Sequence, residues 1–399
     1  MRSFSDFNAE LHARPSIYFD GPAFVEHVAI MRGEASPLGF HDTQSHDADV
    51  TLRVERHTEF VTVTRLRKLT AEASEWQASE LSDLEVLELT GIASPKRICR
   101  VSILVVDKVS ADISSYLSSF SFGDTAVSSI GGGSAQICSD FKVMQDGSSR
   151  ILMLNRELNA RRLGRMVRRI FEIETYRTMA LLGLPVAQSL APMISDYDRR
   201  LIELTNRNLQ TPSDEHKGLL ADITVLASQI ISATSEVRHR FSATAAYTTI
   251  VEERIASLRE THVPGFQRYG TFVERRFKPA VRTCQATALR LEQLSQATTH
   301  LINLLQTRIQ VEIEHQNAVQ IRAMAERAAT QVKIQRAVEG FSIIAISYYL
   351  LNLLKVTFET ADHAGYHIDP MVMLIAIPIV IGTVCLTILR VKQALNSEH

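Results

Sequence analysis

Several features that would indicate a chemical class are missing from this chain of 399 residues. Its four cysteines stand far apart, so neither a disulfide framework nor a zinc motif is indicated. The formal net charge of -1 provides no overall basic field for nucleic acid. The sequence also contains no phosphate-loop, nucleophile-elbow, zinc-protease or dinucleotide-binding motif. We therefore expect no enzyme, no cofactor and no nucleic-acid partner.

The chain also begins without the apolar segment that directs a protein to secretion. Scattered free thiols are typical of a reducing compartment. We therefore expect the soluble portion of the chain to lie in the cytoplasm.

The first part of the chain mixes strand and helix patterns. Residues 50–68 alternate apolar and polar side chains and predict a β-hairpin, while residues 97–108 are rich in branched side chains and predict another strand. Residues 70–89 have helical spacing, and residues 124–155 alternate again between glycine turns. We predict a cytoplasmic α+β domain over residues 1–155, with a mainly antiparallel sheet.

Beyond residue 155 the pattern becomes helical. A long helical pattern over 213–262 ends at a turn at 262–266, and another helix begins near Tyr269. Neither proline nor glycine interrupts the chain between Pro279 and Gly340, so this last helix is expected to continue without a break. We predict a helical region over residues 156–339 that contains long stalk helices.

Two apolar runs follow, at residues 340–358 and 370–389. Each has about the 20 residues that a helix needs to cross a bilayer core of about 30 Å. They predict two transmembrane helices, arranged as a hairpin over residues 340–389 and followed by a cytoplasmic tail at 390–399. Lysine and arginine flank the hairpin but are missing from its connecting loop, which predicts an inner-membrane protein with both termini in the cytoplasm.

Polar residues in and beside the first apolar run suggest a path for ions. Ser342, Tyr349 and Asn352 fall on one helical face at 100° per residue. This face predicts either the lining of a pore in a homo-oligomer or a contact between packed helices. Acidic residues of the connecting loop predict attraction of a divalent cation, or only a soluble turn: Glu359, Asp362 and Asp369.

Arginines are concentrated on one predicted helix, namely Arg161, Arg162, Arg165, Arg168 and Arg169. One interpretation is a basic surface that faces solvent or lipid. The other is a site for phosphate, nucleotide or an anionic lipid headgroup.

A polar loop near the start contains side chains that bind metals, at His41, Asp42, His46, Asp47 and Asp49. Their spacing matches no tight metal motif, and the sequence leaves the identity of any metal open.

The stretch Glu10 to Pro15, which reads ELHARP, resembles the signature of an uncharacterised family of bacterial membrane proteins. The stretch Val338 to Tyr349 is similar to the first transmembrane helix of that family. The resemblance implies a membrane protein and supplies no mechanism.

The layout also resembles CorA-type divalent-cation channels, in which the first spans of a pentamer line the pore. The Gly-Met-Asn motif that closes the first span of those channels is absent, because Lys355 to Glu359 stand in its place. We therefore hold two hypotheses: a homo-oligomeric, CorA-like membrane protein that conducts ions, or a membrane-tethered scaffold or sensor whose hairpin is only an anchor.

Overall fold

The computed structural model describes residues 16–32, 43–47, 49–92, 96–107, 112–212, 215–363 and 370–396. The chain divides into two compact units, Met1–Asn303 and Leu304–His399. The ELHARP stretch lies outside the described residues, as do His41, Asp42 and Asp369.

A nine-stranded sheet forms the centre of the first unit, in the order β2-β3-β4-β1-β5-β8-β7-β6-β9. The strands are β1 (Ala23–Met31), β2 (Thr43–Asp47), β3 (Val50–Arg56), β4 (Phe60–Lys68), β5 (Arg97–Val106), β6 (Ala126–Ile130), β7 (Ala135–Ser139), β8 (Ser149–Asn155) and β9 (Thr261–His262). The hairpin predicted over residues 50–68 is confirmed, because β3 and β4 pair antiparallel.

The sheet is mainly antiparallel, as predicted, but it is mixed: of the eight strand pairs among the described residues, seven are antiparallel and one is parallel. Strands β5 and β8 pair parallel at its centre, with Ile103 opposite Ile151. The chain between them forms a helix and the β6–β7 hairpin before β8 returns beside β5. Alternating side chains indicate which face of a strand is buried, but they do not indicate which strand lies beside it or in which direction.

The helices make up a larger part of the fold than predicted. They are α1 (Asp83–Thr90), α2 (Ile113–Ser119), α3 (Ala160–Leu181), α4 (Gly183–Gln210), α5 (His216–Leu258), α6 (Tyr269–His363) and α7 (Pro370–Asn396). The helix predicted over 70–89 is reduced to α1, because a buried carboxylate on the sheet accepts hydrogen bonds from the polar groups that precede α1. Glu26 accepts hydrogen bonds from the Ser79 hydroxyl and from the backbone N–H groups of Glu80 and Leu81.

Both faces of the sheet are buried, which explains the long apolar runs in its strands. On one face, Val25 and Ile103 belong to a core that also contains Leu163 and Ile170 of α3. On the other face, Phe24 and Leu104 pack with the shorter helix α2. Helices α5 and the beginning of α6 complete the first core through side chains such as Val251, Leu258, Val273 and Phe277.

Helix α3 approaches the chain before β1 so closely that only glycine fits at one position. A Cβ atom on Gly164 would lie 1.9 Å from the backbone carbonyl oxygen of Ile17. Buried hydrogen bonds hold the same helix to its neighbours: His27 Nε2 lies 3.0 Å from Thr175 Oγ1, and Tyr269 Oη donates to Glu174 at 2.7 Å. Burial lowers the pKa of His27 to about 3, so this histidine is neutral at pH 7.

The predicted pair of C-terminal transmembrane helices, arranged as a hairpin in a CorA-like layout, is wrong. Residues 340–358 are not a separate helix but the end of α6, which runs unbroken over 95 residues. In α7 the described apolar stretch, Leu374–Arg390, is shorter than the roughly 20 residues that a span needs.

Among the described residues, the helices that are long and apolar enough to cross a membrane differ from the predicted spans. They are Ala160–Gln210, His216–Leu258 and Tyr269–Ala361. Two of the three belong to the middle of the chain. Apolarity alone therefore does not single out the C-terminus, because a helix that packs on a core has the same composition as one that enters lipid.

Gly164→Ala tests the packing of α3. The added methyl group meets backbone rather than a movable side chain, so we expect the free energy of unfolding to fall by about 1–3 kcal/mol. Chemical denaturation followed by circular dichroism measures the change. Gly218→Ala in α5 is the matched control, because a Cβ there meets nothing within 4 Å. Equal midpoints for the two variants would contradict the close approach.

Candidate anion site

A cavity of about 310 Å³ lies between the first half of α3, the end of α5 and the turn between β6 and β7. Its lining consists of Gly131, Arg162, Arg165, Met166, Arg169, Ser257 and Arg259. Four of these seven residues are arginines and none is acidic. An arginine guanidinium keeps its charge in proteins, so the cavity is strongly positive.

Two half-buried arginines are held in place by backbone carbonyl groups. Arg162 Nη2 donates to the carbonyl oxygen of Gly131 at 2.8 Å, and Arg169 Nη1 donates to that of Ser257 at 3.1 Å. Each guanidinium has five N–H donors, so each retains donors beyond these bonds. Such fixed side chains are prepared to bind an anion with little loss of conformational freedom.

Two exposed arginines complete the lining. Arg165 belongs to α3, and Arg259 follows the last residue of α5 with a backbone φ of 49°. This left-handed backbone ends the helix, and the Arg259 N–H donates to the carbonyl oxygen of Ala256. No hydrogen bond or ion pair joins either guanidinium to another side chain within the described part of the chain.

Like charges in this cluster act on one another. Burial lowers the pKa of Arg169, and the charges of Arg165, Arg254 and Arg259 lower it further. Glu172 opposes this effect only in part. Its two carboxylate oxygens are already occupied, one by Arg168 Nε at 2.7 Å and the other by Arg254 Nε at 2.5 Å. The positive charge of the cavity is therefore not balanced by the protein itself.

The structure separates the five arginines that the sequence places on one helix. Arg162, Arg165 and Arg169 line the cavity. Arg168 lies elsewhere, with Nη1 3.4 Å from Glu55 Oε1, and these carboxylate partners raise its pKa despite its burial. The guanidinium of Arg161 lies 5.9 Å from the ring centroid of Tyr18.

Arg259 is a cavity residue that the sequence pattern did not indicate. The predicted helix over 213–262 placed it inside a helix, whereas α5 ends at Leu258. The signal that could have found it is the break at HVPGF, which begins only three residues later.

The remaining predicted site residues do not gather at this cavity. Ser342, Tyr349 and Asn352 are exposed on α6, and the Ser342 hydroxyl donates to the Val338 carbonyl of its own helix at 2.8 Å. Glu359 lies 3.8 Å from Lys355. The side chain of Asp362 lies outside the described residues.

The polar loop near the start offers no metal site in its described part. His46 contacts Gln44 and Thr51 through its two ring nitrogens, at 2.7 and 2.9 Å. No group of three or more histidine, cysteine or acidic side chains converges in a way that could hold a metal ion among the residues that the structure describes.

Sheet, helices and cavity together define a mixed α/β protein with an arginine-lined cavity. The chain belongs to DUF3422, a family of proteins of unknown function, which it matches over residues 5–395. This confirms the resemblance to an uncharacterised family; the match carries no statement about a membrane or about CorA-type channels. No curated protein and no solved structure matches the chain.

Arg165→Gln tests whether the cluster is electrostatically strained. Arg165 has arginine three and four residues away in both directions, and each like-charged helical pair costs about 0.2–0.5 kcal/mol. We expect the variant to melt at a higher temperature than wild type in low salt, and the gain to shrink as salt is added. Arg199→Gln is the control, because it removes an exposed arginine that is paired with Asp196. A lower melting temperature for Arg165→Gln would refute the strain.

Proposed function

We propose that this protein binds an anion of the phosphate class in the arginine cavity and that it is attached to a membrane through the C-terminal part of α6. The observation that carries the first half is the convergence of four arginines without a carboxylate in the cavity lining. Arginine matches phosphate because its planar fork of donors forms two parallel hydrogen bonds with two phosphate oxygens.

The position of the cluster at the start of a helix supports the same proposal. The first turn of α3 contains no acidic residue, although acids are the residues that the positive end of a helix favours. Arginines there oppose the helix dipole, and a bound anion relieves both that opposition and the repulsion among the arginines. A basic surface with no ligand would gain nothing from this arrangement.

Binding rather than catalysis is the proposed activity. The described lining residues provide donors to an anion, but none of them is a carboxylate, histidine or cysteine that could accept a proton at pH 7. An arginine stays protonated in this range and serves as a positively charged donor only.

Membrane attachment is proposed from the apolar end of α6. Only 6% of the most apolar stretch of this helix is buried. The corresponding apolar stretches within Ala160–Gln210 and His216–Leu258 are 33% and 28% buried. Phe341, Ile344 and Leu353 remain 67–72% exposed. An apolar surface of this kind is typical of a segment that contacts lipid or a partner.

The proposal favours a membrane-tethered binding protein or sensor over an ion channel. Ion conduction through a homo-oligomer, with Ser342, Tyr349 and Asn352 facing the pore, stays a prediction that no described contact tests. Its deciding measurement is the mass of the protein in detergent, since a monomer or dimer cannot form the predicted ring.

Binding of inorganic phosphate to the purified full chain tests the proposed anion binding in the arginine cavity. We expect a titration calorimetry signal that weakens as salt is added, and a loss of at least tenfold in affinity in the double variant Arg162→Gln/Arg169→Gln. The control Arg199→Gln should bind as wild type does. Unchanged phosphate affinity in the double variant would place any binding elsewhere and refute the cavity as the site.

Flotation of the full chain with lipid vesicles tests the proposed membrane attachment through α6. We expect wild type to float and the variant Ile344→Asp/Leu353→Asp to remain at the bottom, since each charge in a bilayer core costs about 2.5–3.5 kcal/mol. The control Ile202→Asp/Ile231→Asp changes two side chains of α4 and α5 that are similarly exposed, at 62% and 57%. Loss of flotation in the control alone, or wild type that does not float, would contradict attachment through α6.

A further inference from the structure

The charge of the cavity narrows the class of anion that it suits. Four arginines contribute about four positive charges, and no described lining residue compensates them. A carboxylate brings one negative charge, and a phosphate monoester brings about 1.5 to 2 at pH 7. A ligand with two phosphate groups therefore comes closer to neutralising this lining than a ligand with one phosphate or one carboxylate does.

The donors of the cavity divide into two pairs. Arg162 and Arg169 are half-buried and are held by the carbonyl groups of Gly131 and Ser257. Arg165 and Arg259 are exposed, and they come from two different helices, α3 and the end of α5. Each guanidinium can bind a phosphate through two parallel hydrogen bonds, so the second pair provides donors for a second phosphate.

The cavity is larger than two phosphate groups alone require. Its volume of about 310 Å³ far exceeds the roughly 10–15 Å³ that a single water molecule requires. It reaches the lower end of the range of about 300–1,000 Å³ that is typical of small-molecule sites. The buried Met166 adds an apolar contact to the lining. The ligand thus has room for an uncharged part beside its phosphates.

We propose that the cavity takes an organic compound with two phosphate groups, one bound by Arg162 and Arg169 and the other by Arg165 and Arg259. This inference rests on the proposed phosphate-class binding and specifies its ligand. The same chemistry occurs in a soluble diphosphate, such as a nucleoside diphosphate, and in the headgroup of a bisphosphorylated lipid.

Titration calorimetry on the full chain compares inorganic phosphate with inorganic pyrophosphate. We expect pyrophosphate to bind at least tenfold more tightly. Arg165→Gln and Arg259→Gln should each weaken pyrophosphate binding more than phosphate binding and so remove most of this advantage. Both side chains are exposed, so both variants should fold, and their melting curves check this. Arg199→Gln again serves as the control with an unchanged advantage.

The two proposals fail in different ways. Equal affinity for phosphate and pyrophosphate would overturn the two-phosphate ligand and leave anion binding intact. Absence of binding for both probes would overturn the proposed function itself. An advantage of pyrophosphate that survives in both Arg165→Gln and Arg259→Gln would overturn the assignment of the second phosphate.

Competition against pyrophosphate identifies the organic part. Displacement by adenosine diphosphate supports a soluble ligand, and displacement by vesicles that contain a phosphatidylinositol bisphosphate, but not by vesicles of phosphatidylcholine alone, supports a lipid headgroup. Displacement by neither would overturn the organic part of the proposal.

Discussion

The packing of α3 against the sheet is the constraint on which the rest of the structure depends. Leu163, Val167 and Ile170 form an apolar stripe that is buried on the strands, and the contact between Gly164 and Ile17 leaves no room for a larger side chain to rotate into that position. Because this stripe cannot turn away from the core, the arginines between its members must leave α3 along its flanks.

The two flanks meet very different surroundings. Arg168 reaches Glu55 of strand β3 and Glu172 of its own helix, and Arg177 reaches the buried Glu174. These pairs compensate charge within the protein, as buried ions require. Arg162, Arg165 and Arg169 instead line the cavity at the end of α5, where Arg259 adds a further positive charge and no lining residue is acidic. A helix optimised for stability alone would have its positive charges compensated on both flanks. The flank with uncompensated arginines is therefore where we expect a function that reduces local stability.

Much of the fold can be predicted from the sequence. For the site, the sequence shows only that arginines are concentrated on one helix. Alternation over residues 50–68 identifies the β3–β4 hairpin, and the uninterrupted chain after Tyr269 identifies the long helix α6. The arginine cluster is visible as a set, yet nothing local distinguishes Arg168, which has carboxylate partners, from Arg165, which has none among the described residues. The sequence pattern does not reveal Arg259, because its position depends on α5 ending at Leu258, four residues before the predicted end at 262, and helix ends are the least regular part of a sequence pattern.

The sequence by itself determined the burial pattern of the strands, the positions of the long helices and the apolar character of the C-terminal segments, because periodicity and composition are local properties. Only the tertiary structure decided that β5 and β8 run parallel and which arginines share a cavity, because both depend on partners far apart along the chain. It also decided that the predicted pair of C-terminal spans is not formed. Apolar composition measures the free energy of leaving water, and that quantity is the same whether a helix is covered by protein or by lipid.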